Sequence, residues 1–184
     1  QLLKLSKPIV LVGLMGAGKT CIGTRLAAKL GLPFIDADTE IERAAGCSVA
    51  DIFELYGESE FRKGERRVIA RLLKDPVHVL ATGGGAFMDS ATRKEVSDWA
   101  ISVWLRADLN LLVSRTGRRA DRPLLEKGNR REILEQLIEE RHPIYAEADL
   151  VIDSAWESPD LTVDRLIGAL EKFTGKSAGA GAVQ

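Results

Sequence analysis

The chain has 184 residues, 45% of them apolar and 29% charged, with a formal net charge of −1. That size suits one domain whose core stands without metal or disulfide staples, and the composition excludes a disordered chain or a membrane bundle. The near-zero charge excludes a global basic field for nucleic acid or an anionic membrane, so any anion site must be local.

Early in the chain, Ile9 to Leu14 is the longest apolar run, far too short to cross a bilayer, and Lys4 and Lys7 before it do not build a signal peptide. A cytoplasmic protein is therefore the default expectation. Cys21 and Cys47 form no C-x-x-C pair and have no set of histidine partners, which argues against a disulfide framework or a zinc site.

Short β-branched runs alternate with helical patterns, which predicts an α/β fold with a parallel sheet covered on both faces. Strands are expected at Ile9–Gly13, Pro33–Asp36, Val77–Thr82, Ile101–Leu105 and Leu150–Asp153. Ile22, Leu26 and Leu30 recur at helical spacing, and Gly31 with Pro33 supplies the stop. Ser48 followed by Asp51 reads as a cap for a helix through Leu55 that Gly57 ends, with a longer helix from about Glu58 to Leu73. Two more apolar stripes follow, Ile133, Leu134, Leu137 and Ile138, then Leu161, Leu166, Ile167 and Leu170. Between helical segments, Gly117 to Asn129 carries many charges around Leu124 and Leu125, as a solvent-facing flap would. The small, Gly/Ala-rich tail 175–184 is expected to be disordered.

The segment Gly13-Leu14-Met15-Gly16-Ala17-Gly18-Lys19-Thr20 satisfies G-x-x-x-x-G-K-[ST] between an apolar strand and a helix. Its glycines let several N–H groups turn toward one anion at the positive end of the helix. Lys19 then reaches terminal phosphates and the Thr20 hydroxyl ligates Mg²⁺. The loop does not decide between ATP and GTP, although no N-K-x-D guanine-reading motif is present.

Other candidates sit where open α/β sheets bind ligands, at the carboxyl ends of strands. Asp36 and Asp38 could serve a metal's water shell and an acceptor hydroxyl, or Asp38 could simply cap a helix beginning near Thr39. Gly83, Gly84 and Gly85 offer bare backbone to a ligand, or form a plain loop. Arg62 and Arg141 could present planar forks to a carboxylate, or lie in solvent.

Taken in order, Gly13–Thr20, Asp36-Ala37-Asp38, Phe61-Arg62, Gly83-Gly84-Gly85, Arg122-Pro123-Leu124 and Arg141-His142-Pro143-Ile144-Tyr145 resemble the motif set of shikimate kinases over about residues 8 to 173. The resemblance implies a three-layer P-loop kinase fold of the nucleoside-monophosphate-kinase type, with a five-stranded parallel sheet in the order 2-3-1-4-5. It implies one domain over 1–174, with a shikimate-binding region at about 37–65 and a LID at about 116–128. The implied reaction moves the γ-phosphoryl group of Mg·ATP to the 3-hydroxyl of shikimate.

By the same resemblance, Lys19, Asp38 and Arg122 are catalytic, and Thr20 and Asp36 serve Mg²⁺. Gly16, Ala17, Gly18, Lys19, Thr20 and Cys21 surround the ATP phosphates with Arg122, while Arg115 and Ser158 flank the adenine. Asp38, Phe53, Phe61 and Arg62 hold shikimate together with Gly83, Gly84, Gly85 and Arg141. Thr20 stands where serine is common in the family and Cys21 where threonine is frequent, and the hydroxyl needed by Mg²⁺ is kept. The expected partners are shikimate and ATP alone, and the expected state is a monomer. Two rivals share parts of the pattern, a gluconate-type kinase and an ATP-binding regulatory module without catalysis.

Overall fold

The computed structural model describes residues 3–117 and 129–180. Five strands, β1 (Ile9–Val12), β2 (Phe34–Asp36), β3 (Val79–Ala81), β4 (Ile101–Arg106) and β5 (Leu150–Asp153), form one sheet in the order β2-β3-β1-β4-β5. Every pairing is parallel, with Ile9 opposite Val79 on one side and Ile101 on the other. This is the expected α/β order. Ile9, Val10, Leu11 and Val12 are all at 0% exposure, because a central strand of a parallel sheet is covered on both faces.

Among the described residues, seven α-helices link and cover the strands: α1 (Lys19–Leu30), α2 (Ala37–Ala45), α3 (Val49–Leu72), α4 (Ser90–Trp99), α5 (Leu109–Thr116), α6 (Arg130–Tyr145) and α7 (Pro159–Ala180). Right-handed crossovers decide their faces. The chain moves one way from β1 to β2 and the other way from β2 through β3, β4 and β5, so α1 lies opposite α3, α4 and α6. The helix after β5 returns to the first face, where Arg25 pairs with Asp160 and Lys29 with Asp164 between α1 and α7. Gly23 allows α1 to sit low on the sheet, since a Cβ there would lie 2.6 Å from the Phe34 ring.

Several expected boundaries shift. Gly57 keeps its expected place: its φ of 81 and ψ of 169 are non-helical and divide α3 (Val49–Leu72) into two helical halves across a kink. The cap of α2 is Asp36, whose Oδ1 accepts from the Thr39 N–H, so the capping role considered for Asp38 falls two residues earlier. Disorder beginning at Gly175 is corrected as well, because α7 continues to Ala180. Leu166 and Leu170 bury one face of α7, and extending an anchored helix costs far less than nucleating one. Neither α4 nor α5 stood out in the sequence. Each is short and each is capped by an aspartate, Asp89 and Asp108.

Asp89 also ties α4 to α3. Its Oδ2 accepts from the Thr92 N–H and hydroxyl, while Arg66 grips both oxygens at 2.9 and 2.7 Å. The Arg66 hydrogen bond, with the Thr92 contacts, holds this carboxyl down at about 2. Replacing Asp89 by alanine is expected to cost about 1–2 kcal/mol in urea unfolding at neutral pH, mostly through the lost cap because Arg66 is half exposed. A depressed folded-state pKa gives stability above the ordinary carboxylate value that disappears as pH falls toward about 2. The gap between wild type and Asp89→Ala should therefore narrow below pH ~4.

Candidate active site

Because α1 and α4 leave neighbouring strands toward opposite faces, a crevice opens beyond the carboxyl ends of β1 and β3. The loop after β1 forms its floor. Gly13 has φ 146, and a Cβ on it would lie 2.7 Å from the Leu105 carbonyl oxygen, so only glycine fits. Gly18 (φ 99) precedes α1 without any side-chain cap, leaving the helix N-terminus open to an anion. Lys19 bends back over the loop, its Nζ donating to the carbonyls of Gly13 at 2.6 Å and Leu14 at 3.0 Å.

Arg115 on α5 braces the same loop. Its Nη1 donates to the carbonyls of Gly16 and Ala17 and, at 2.9 Å, to the Ser154 hydroxyl after β5. A cleft of about 890 Å³ spreads from this brace to the turn after β3. Gly16, Gly18, Lys19, Thr20 and Cys21 line one end, and Asp36, Asp38, Gly83 and Gly84 the other. Ala17 is buried and its N–H is taken by the Leu14 carbonyl, so it supports the loop from beneath.

At the far end of the cleft, the side-chain-free turn Gly83–Gly85 is approached from three sides. A Cβ on Gly83 would lie 3.1 Å from an Asp38 oxygen, one on Gly84 3.2 Å from Arg141 Nη1, and one on Gly85 2.7 Å from Arg62 Cζ. Arg62 lies over the Phe61 ring at 5.1 Å, and Phe61 packs on Phe53 with ring centroids 4.6 Å apart. Glu65, one turn on along α3, is 3% exposed and accepts from Arg62 at 2.8 Å. Arg141 Nη1 is buried with no hydrogen-bond partner among the described residues. A buried, unanswered guanidinium nitrogen is costly, and an anion would answer it.

Electrostatics differ between the two carboxylates here. Burial pushes Asp38 above the ordinary carboxylate value, Asp36 pushes it further, and Lys19 and Arg62 pull it back. Glu65 is likewise raised by burial and restrained by Arg62.

Two clusters therefore meet at the glycine turn, one of loop backbone, Lys19, Thr20 and paired carboxylates, the other of Phe53, Phe61, Arg62 and Arg141. Ser158 lies near but apart: Ser154, Glu157, Pro159 and Thr162 form that wall, and Ser158 accepts from the Asp160 N–H at the start of α7. Arg122 and all of the flap from 118 to 128 lie outside the described residues. Ser154 and Glu65 escaped the sequence reading, and Tyr145 entered it only as the last residue of a motif, with no role of its own. A lone serine carries no spacing signal, whereas Glu65 had one, three residues after Arg62 on a helix.

Comparison with known proteins matches this geometry to one family. The shikimate kinase family model matches residues 15–171. A shikimate kinase of Paramagnetospirillum magneticum is 56% identical over 167 residues, covering 91% of this chain and 86% of its own. One of Rhodopseudomonas palustris is 50% identical over 167 residues, covering 91% and 82%. Among solved structures, a shikimate kinase from Acinetobacter baumannii in complex with shikimate superposes with a TM-score of 0.85 at 39% identity, covering 90% of this chain and 94% of that one.

The charge arrangement itself is measurable without any ligand. Carboxyl carbon NMR is expected to show Asp38 titrating above the usual value of about 3.9. Asp36→Asn should bring that midpoint down by removing a neighbouring anion, and Lys19→Met should raise it by removing a cation.

Proposed function

The chain belongs to the shikimate kinase family, and we propose that it transfers the γ-phosphoryl group of ATP to the 3-hydroxyl of shikimate, giving shikimate 3-phosphate and ADP. The observation that carries this reading is the glycine turn shared by two clusters, with a phosphate loop and Lys19 on one side and the Arg62 and Arg141 guanidiniums on the other. A donor phosphate in the loop and an acceptor carboxylate between the arginines put a ring hydroxyl beside Asp38.

In this reading the N–H groups of Gly16, Gly18, Lys19 and Thr20 bind the phosphates, and Lys19 exchanges its loop carbonyls for β- and γ-oxygens. Arg62 and Arg141 fork onto the carboxylate, Phe53 and Phe61 wall the ring, and Gly83 to Gly85 leave room for it. Asp38 orients the attacking hydroxyl and accepts its proton late, as suits a loose transition state that relies on positioning and cations more than on a strong base.

For Mg²⁺ the donors fit: the exposed Thr20 hydroxyl and the Asp36 carboxylate are hard oxygens beside the phosphate loop. Among the described residues no three His, Cys, Asp or Glu side chains gather as a cage, which suits an ion held mainly by phosphates and water. When bound, Mg²⁺ supplies charge neutralisation at the phosphate oxygens.

Residues 37–65 act as the shikimate-binding region and 116–128 as a LID, from which Arg122 reaches the phosphates; Arg115 and the stretch around Ser158 border the adenine, and 1–174 work as one domain. Closure excludes water and so suppresses ATP hydrolysis. The working setting is the cytoplasm and the working form a monomer: no described helix is long and apolar enough to cross a membrane, and both clusters come from a single chain.

The test is ADP release with Mg·ATP and shikimate, gluconate or no acceptor. Turnover with shikimate alone is expected. Gluconate turnover would move the acceptor assignment, and turnover with neither, despite ATP binding, would point to a regulatory module. In the same assay Asp38→Asn should lower kcat by roughly 10²–10⁴ with little change in the KM for ATP; near-normal kcat would remove Asp38 from the chemistry.

A further inference from the structure

Tyr145 closes α6 and has no part in the phosphate or acceptor clusters described so far, yet it is the largest of the fully buried side chains, at 0% exposure. Its ring is packed among Phe87, Trp104 and His142, with centroids 6.5, 5.9 and 6.3 Å away. Its hydroxyl donates to the carbonyl of Gly84. Arg141 stands four residues earlier on the same helical face. Its Nη1 overhangs Gly84, where a Cβ would come within 3.2 Å. The backbone that the phenol holds is thus the backbone that the guanidinium overhangs.

Resting on the shikimate kinase reading above, we propose that Tyr145 is a positioning residue for the acceptor: its hydroxyl fixes the Gly84 backbone beneath Arg141, so that guanidinium and turn receive the carboxylate in one geometry. The phenol suits this task. Burial pushes it up to about 12, so it keeps its proton, and its donation to Gly84, across the working pH range. Its rigid ring, clamped by three aromatic neighbours, carries little freedom into the bond. Without the hydroxyl the Gly84 carbonyl loses its buried donor and the turn under Arg141 its anchor, while the ring packing stays.

Tyr145→Phe removes that one oxygen. Calorimetric binding and steady-state kinetics are expected to show shikimate Kd and KM raised about tenfold, with the KM for ATP within about twofold of wild type. In an Arg141→Ala background the same change should add less than about twofold, because the effect runs through Arg141. Equal rises for both substrates, full additivity with Arg141→Ala, or an unchanged shikimate Kd would each overturn the proposal.

A second measurement needs no variant. The chain has two tyrosines, Tyr145 and the exposed Tyr56, so labelling the tyrosine ζ-carbon gives two resonances with Tyr56 as internal control. Addition of shikimate should shift the Tyr145 signal and leave that of Tyr56 in place. A Tyr145 signal that ignores bound shikimate sinks the proposal even if Tyr145→Phe does not fold. Failure of the wild type to bind shikimate would overturn the kinase reading and this inference together, whereas normal wild-type binding with an indifferent Tyr145 overturns only the latter.

Discussion

The site depends on three consecutive residues having no side chains. At Gly83, Gly84 and Gly85 the backbone itself is the surface: a methyl group at Gly85 would collide with Arg62, and one at Gly83 or Gly84 would press on Asp38 or Arg141. Those three side chains come from α2, α6 and α3. The turn is held by what surrounds it. Thr82 just before it is bonded to Leu11 by both its N–H and its hydroxyl, and Asp89 just after it is clamped by Arg66. An inflexible frame around a bare turn lets long, flexible arginines be placed without a pocket of their own.

Charge balance follows from that crowding. Asp36, Asp38 and Glu65 lie close to Lys19, Arg62 and Arg141 in a region that water reaches poorly, so each group's state depends on its neighbours. Glu65 pairs with one Arg62 nitrogen at 2.8 Å, and the other, 3.8 Å from Glu58, faces the turn. Asp38 differs because burial, with Asp36 beside it, outweighs the pull of Lys19 and Arg62 and leaves its carboxyl more easily protonated than an isolated one. A carboxylate destabilised in this way is a better hydrogen-bond acceptor for a hydroxyl than one neutralised by a bidentate arginine, as Asp89 is.

Much of this was legible in the chain. Strand positions follow from apolar β-branched runs, the sheet order is implied by the family resemblance, and the phosphate loop is a local pattern whose glycines, lysine and strand–helix context are contiguous. What could not be read is whatever depends on contacts between distant segments. Asp36 and Asp38 are two residues apart, and only the backbone at the end of β2 shows that the first caps α2 and frees the second. Arg115 is placed beside the adenine by resemblance, but its brace on the phosphate loop appears only when the fold brings Ser154 to it from 39 positions away.

The place of β1 in the sheet has a consequence for how the protein is made. β1, which precedes the other four strands in the chain, is the central strand of the sheet and wholly apolar, and its partners β3 and β4 arrive only with residues 79–81 and 101–106. Its phosphate loop is braced later still, by Ser154, and α1 is covered by α7 from the last part of the chain. During synthesis the nascent chain therefore carries a sticky strand that has no partner until residues 79–81 arrive and is paired on one side only until 101–106, at the stage when chaperones engage exposed apolar segments. A product truncated before β5 would contain every residue of the phosphate motif and yet lack the wall that supports it.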